Sequence, residues 1–214
     1  MNNMIIEGVV LEKNHYRDTD AMVTILTERG LVSFLARGAF KKDSKNSFSL
    51  STYTLGQYDL IEMNENKYIL KTGVCKKTFI NIFNSFEALS LLLTMSECTI
   101  KALNEFDEGD IYFTLKNVIY YMNNNGNPTN GCLFYLLQLL KFTGYRFDFQ
   151  YIPMTTEEHQ LIEDYLNFNY CDSIPDYKNS ILNSCLKKTI SYFEYALQTT
   201  IKTYDDLKNS IHNQ

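Results

Sequence analysis

The 214-residue sequence predicts an α+β multidomain protein, a small five-stranded β-barrel over residues 1–78 followed by an all-α helical bundle over 79–214. Three observations predict it. Short β-branched and aromatic runs, parted by glycine or polar turns, crowd the stretch before Lys77. Apolar residues at helical spacing take over after it. The charge also changes sign, because residues 1–80 hold 11 Lys and Arg against 9 Asp and Glu, whereas residues 81–214 hold 9 against 16.

The strands follow in order. Ile5 to about Tyr16 is apolar and β-branched, with Gly8 where a strand would bend or bulge. Arg17–Asp20 is a polar turn, held by Arg17 pairing with a neighbouring carboxylate, and Ala21–Thr27 is the second strand. Glu28-Arg29-Gly30 turns the chain into a third strand at Leu31–Arg37, Gly30 being free to take positive φ. The segment from Gly38 to Leu50 is rich in Lys, Ser and Asn without periodicity, which predicts an exposed, mobile loop. Tyr53–Met63 and Lys67–Val74 complete five closely spaced antiparallel strands, the pattern of an OB-fold barrel.

Ser85 caps a helix running to Asn104, and Asp110 caps one to Met122. The run from Asn123 to Pro128 breaks the pattern. Cys132–Phe142 is apolar nearly all round and belongs at the bundle centre, with Gly144 ending it. Thr155-Thr156-Glu157-Glu158 opens a capped helix to Phe168, and Lys178–Thr200 and Tyr204–Ile211 are the last two.

Composition bounds the function. No apolar run approaches the roughly 20 residues needed to cross a bilayer, and Met1–Met4 lacks the basic and apolar regions of a signal peptide, so a cytoplasmic protein with no membrane partner is expected. The five cysteines are widely spaced with no Cys-x-x-Cys, which indicates neither a disulfide framework nor a metal site, and reads as buried apolar residues. A Gly-x-Ser-x-Gly elbow, a phosphate loop and spaced histidine ligands are all missing, so neither an enzyme nor a cofactor is expected.

Positive charge is concentrated in two places. Residues 29–45 carry five basic residues and one acidic, and 67–77 carry four basic and no acidic ones. Arg37, Lys41, Lys42 and Lys45, delivered by a strand end and loop to one edge of the barrel, are the first candidates for contact with DNA phosphates, although a Lys/Ser/Asn loop is equally what a solvated loop looks like. Lys67, Lys71 and Lys77 would share one face of an unbroken strand, Lys76 the other; Lys71 and Lys77 join the DNA-binding candidates. Tyr53, Tyr58, Tyr68 and Phe34 are either stacking platforms for bases or, as aromatics in small barrels more often are, core.

Several segments carry a family resemblance. Gly8-Val9-Val10-Leu11, Tyr16-Arg17-Asp18-Thr19-Asp20, Thr24 to Gly30, and Leu35-Ala36-Arg37-Gly38-Ala39 resemble, in order and spacing, the N-terminal domain of the bacterial recombination mediator family RecO. Leu136–Asp148 is similar to that family's Leu-rich helix and Gly-Tyr turn, and Ala196–Thr203 to its closing helix. The resemblance implies a DNA repair and recombination mediator that binds single- and double-stranded DNA and anneals strands. It also implies partners: RecR, the C-terminal tail of the single-strand DNA-binding protein and, indirectly, RecA. Members commonly carry a four-cysteine zinc module after the Gly-Tyr turn; Phe147–Thr155 has no cysteine, so no zinc is expected. A tail ending in an aromatic residue and a carboxylate needs an apolar groove with a cation at its rim, and Lys141, Arg146 and Lys187, with Lys188, are the cations available. The competing function is an OB-helical adaptor that keeps protein contacts with little DNA affinity, which the net charge of −5 makes conceivable.

Overall fold

The computed structural model describes residues 3–64, 67–103, 110–145, 147, 152–168 and 177–212. Contacts divide the chain into two units. One is residues 1–79 with 103–112, the other residues 80–102 with 113–214. The strand-and-helix pattern places all residues after 78 in the helical half; the structure groups Leu103 and Tyr112 with the barrel, where the buried Tyr112 donates its hydroxyl to Glu7 Oε1 at 2.7 Å.

In the first unit β1 (Asn3–Tyr16), β2 (Asp20–Thr27), β3 (Gly30–Ala36), β4 (Leu55–Asn64) and β5 (Lys67–Lys77) close a barrel in the order β1-β2-β3-β5-β4. All neighbours are antiparallel except β3 and β5, which pair in parallel through Phe34 with Tyr68 and Leu35 with Ile69. β1 serves two neighbours, β4 along Asn3–Val9 and β2 along Val9–Tyr16. The extra residue that lets it bend is Leu11, where the β1–β2 register shifts, and not Gly8. Gly8 is a close approach instead, since a Cβ there would lie 2.9 Å from the Leu26 carbonyl oxygen and from Ile25 Cδ1. Val10, Val23, Ile25, Phe34, Tyr58 and Leu60 fill the interior, each at most 1% exposed.

The segment between β3 and β4 overturns the expectation of a free loop. It winds as successive turns, with backbone bonds from Lys41 to Gly38, Ser44 to Lys41, Ser47 to Ser44 and Leu50 to Asn46. Leu50 and Ala39 enter the barrel core, Tyr58 donates its hydroxyl to the Ser49 carbonyl at 2.8 Å, and the Asn46 side chain accepts from the Gly73 amide. Two buried apolar side chains and these distant hydrogen bonds offset the entropy that a polar segment would otherwise keep.

The second unit opens with a 3₁₀ turn at Ile80–Asn84, followed by α1 (Phe86–Ala102), α2 (Ile111–Asn123), α3 (Pro128–Phe142), α4 (Thr156–Asn167), α5 (Asn179–Leu197) and α6 (Lys202–His212), of which the first two residues of α2 fall in the barrel unit. Ser85 Oγ caps α1 by accepting from the Ala88 amide, and Thr155 with Glu158 forms a reciprocal capping box on α4. α3 begins a full turn before Cys132, because Pro128 sits at its first position, where no donor is needed, and Asn127 accepts from the Asn130 amide. α5 stops at Leu197, with Gln198 left-handed at φ 50°, short of Thr200. α6 begins two residues before Tyr204, because Glu97 of α1 accepts from the Lys202 and Thr203 amides. α3 packs against α1, α4 and α5, and every residue from Thr129 to Leu140 except Gln138 is buried. No helix among the described residues is long and apolar enough to cross a membrane.

Cys98, Cys132 and Cys185 are buried thiols, as their sequence context predicts, but Cys75 is only half-buried on β5; Cys171 lies outside the described residues.

Candidate nucleic-acid interface

β3 ends at Ala36, so Arg37 leaves the sheet at the barrel rim and the chain must turn at once. Gly38 makes that turn at φ +63°, donating its amide to Asp20 Oδ1 at 2.7 Å. Phe40 donates to the Thr19 carbonyl at 2.9 Å, which ties the following turns to the β1–β2 connection. The result is a concavity of about 500 Å³ lined by Arg37, Lys41, Lys42 and Lys45 together with Asp20, Gly38, Asp43, Ser44 and Asn46. All four predicted cations of this segment therefore meet in one place, and all four are exposed. None is in an ion pair with a described residue, and Asp20, one of the two carboxylates that line the concavity, accepts from the Gly38 amide. Lys41 lays its stem over Gly38: a Cβ there would come within 3.2 Å of Lys41 Cδ. Unpaired cations over a polar floor attract an anion without first breaking a salt bridge.

The second basic group is arranged differently. β5 is not an unbroken strand, because its register against β4 shifts between Thr72 and Leu70 and again between Lys77 and Cys75, leaving Lys71 and Lys76 as the extra residues. Alternation therefore fails to put Lys67, Lys71 and Lys77 on one face. Lys71 pairs with Asp59 at 3.0 Å and Lys76 with Glu7 at 2.8 Å, while Lys77 is exposed at the strand end. These cations border the barrel but do not line the concavity.

Of the aromatics weighed as stacking platforms, Phe34, Tyr53 and Tyr58 are at most 1% exposed and Tyr68 packs against the core. The accessible rings are others. Phe40 stacks on His15 with centroids 3.7 Å apart and planes at 11°, and Lys13 Nζ lies 4.4 Å from the Phe40 centroid. Partial burial holds the Lys13 pKa below its ordinary value. Arg17, at φ 59°, lies over Tyr16 at 5.4 Å rather than pairing with a carboxylate. Sequence reasoning missed Lys13, His15 and Phe40. Their signal was a phenylalanine inside a basic run and a Lys-x-His on one face of a strand.

In the helical unit the predicted cations do not converge. Lys141 donates to the Leu166 carbonyl at 2.8 Å, closing the end of α4 beside Gln138, which donates to Tyr165 and Phe168. Lys188 pairs with Glu158 at 2.7 Å. Lys187 is exposed on α5, and Arg146 lies outside the described residues.

The geometry above rests on a barrel whose sequence matches a known domain, the family described as "Recombination protein O N terminal", over residues 1–79. The N-terminal barrel is similar to the RecO N-terminal domain, and the chain is similar to RecO proteins. Among curated RecO-family relatives, the DNA repair protein RecO of Mesoplasma florum is 26% identical over 150 residues, 68% of this chain and 56% of that protein. That of Leuconostoc mesenteroides is 48% identical over 56 residues, 26% of this chain and 22% of the relative. The Clostridium perfringens protein of the same name is 25% identical over 194 residues, covering 86% and 77% respectively. The chain thus spans little more than half the length of the Mesoplasma florum RecO that it matches. The high local identity over a short stretch in one relative, and the long low-identity match in another, show a RecO-family likeness that extends past the barrel into the helices.

Proposed function

We propose that this chain is a cytoplasmic DNA repair mediator that acts by binding and not by catalysis, holding the sugar-phosphate backbone of single- or double-stranded DNA in the concavity framed by Arg37, Lys41, Lys42 and Lys45. The observation that carries this reading is the convergence of four exposed, unpaired cations on one rim of an OB-ordered barrel. Contacts of this kind position a backbone without reading sequence, which suits a protein that must act on any gap. The name shared by the relatives, DNA repair protein RecO, supports the same reading.

In the fuller form of the proposal the bound strand is annealed to its complement, and together with RecR and the tail of the single-strand DNA-binding protein the chain assists loading of RecA. Lys141 is occupied by α4 and Lys188 by Glu158, so Lys187, with Arg146, is the cation assigned to the tail carboxylate.

Fluorescence anisotropy of a labelled single-stranded oligonucleotide, titrated with the protein at several salt concentrations, tests the core claim. Binding that weakens steeply with salt is expected. Absence of binding even at low salt would refute it and favour an adaptor that reaches DNA only through a partner protein.

A further inference from the structure

The basic concavity explains attraction to phosphate but gives no preference between a backbone with bases and one without. The Lys13–Phe40–His15 arrangement supplies one. Lys13 and His15 are two residues apart on β1 and so project on the same side of the strand. The Phe40 ring lies against both: the imidazole covers one face at 3.7 Å, nearly parallel, and the ammonium stands 4.4 Å from the centroid. Phe40 thus packs against two neighbouring side chains, and both it, at 37%, and His15 remain exposed. The stack on Phe40 fixes one face of the imidazole, and His15 as a whole is exposed to solvent. A solitary surface histidine rotates freely and stacks poorly; a ring already fixed in a stack loses little further freedom when another π-face is added.

The position matters as much as the ring. His15 pairs with Ala21 in the β1–β2 ladder, and Tyr16 with Asp20, the residue that lines the concavity. Phe40 itself sits between Gly38 and Lys41, both of which line it too. The imidazole therefore stacks on a residue of the same segment that lines the concavity, one residue before Lys41.

We propose that His15, backed by Phe40, is a stacking platform for a nucleobase of a single strand held in the Arg37–Lys45 concavity, so that this site prefers unpaired, base-bearing DNA to bare backbone. This rests on the phosphate-binding reading above. Stacking on aromatic side chains adds about 1–3 kcal/mol per base, or roughly 5- to 150-fold in affinity, and because every base has a π-face the preference is independent of sequence.

The test compares two labelled probes of equal length and charge, a 20-mer of thymidine and an abasic 20-mer, titrated by anisotropy against the full chain and against His15→Ala. The expected result is at least about fivefold tighter binding of the thymidine probe. His15→Ala should lose that advantage while binding the abasic probe as the parent does, with an unchanged salt slope. Equal, salt-dependent binding of both probes by the parent would overturn the platform and leave the phosphate reading standing. An equal loss on both probes in His15→Ala would also overturn it, by assigning the residue to loop placement. No binding of either probe would overturn both readings.

Discussion

Replacing Arg37, Lys41 and Lys42 together with alanine is the most direct perturbation of the concavity. Four cations line it, and no ion pair to a described residue must be broken before they meet phosphate. On single strands each phosphate neutralised contributes about −0.7 to the slope of log affinity against log salt, so four contribute about −2.8. Raising salt from about 50 to 200 mM then weakens binding roughly 50-fold; with Lys45 alone remaining, the same change weakens it only about threefold. Anisotropy titrations at five salt concentrations measure both slopes. Circular dichroism melts confirm that the barrel persists, as expected for three exposed side chains that make no core contact. Lys71→Ala is the internal comparison: its ammonium already sits 3.0 Å from Asp59, and it should move the slope by less than any one of the three. If the triple variant kept the parent slope to within about half a unit, the concavity would not be where phosphates are held.

Other perturbations probe the scaffold. Gly38→Ala forces a side chain into φ +63° and against Lys41, so it should cost about 1–2 kcal/mol and lower the melting midpoint by a few degrees in calorimetry, while also weakening binding through Lys41. Leu50→Ala should destabilise the barrel by about 2–5 kcal/mol in urea unfolding, as a core truncation does; a cost below about 0.5 kcal/mol would mean the segment is as loose as its composition suggests. In the helical unit, burial alone would push the Glu158 pKa up, but hydrogen bonds from Lys188, Ser184 and the Thr155 amide hold it down at about 2. A carboxylate depressed on folding stabilises at neutral pH, on the order of 3 kcal/mol, and that contribution is lost as pH falls from the unfolded value near 4.3 towards 2. Glu158→Gln should therefore melt lower than the parent at pH 7 and converge with it near pH 2, and parallel pH profiles would contradict this.

The barrel was legible because its signals are local. β-branched alternation bounded by turns fixes each strand, and Gly30, at φ 88°, sits in the turn between β2 and β3 where the sequence predicts it. The capping box on α4 and the burial of α3 on nearly every side were legible for the same reason. What escaped is what depends on distant partners. Residues 38–50 read as a free loop, because nothing in a Lys/Ser/Asn run announces that Leu50 will enter the barrel core, that the Ser49 carbonyl will find Tyr58 or that Asn46 will meet Gly73. Pro128 read as the end of a break and is the start of a helix, since one residue type serves both uses. Counting odd positions on β5 failed because two inserted residues are invisible to a rule that assumes perfect alternation. The cations of the concavity were nameable in advance; their neighbour Phe40 was not, because its partners lie on another strand.

That ring and Leu50 also set the tempo of the binding surface. A segment pinned by one aromatic on the outside of the barrel and one aliphatic on the inside has no cheap way to open by itself, so its amides should exchange with solvent only when the whole barrel does. The Phe40 and Leu50 amides, which donate to Thr19 and Asn46, are the clocks to watch. A ligand that recognises only this arrangement slows both clocks together, by the factor with which it outcompetes global unfolding. Occupancy of the site and integrity of the barrel are then two readouts of a single equilibrium.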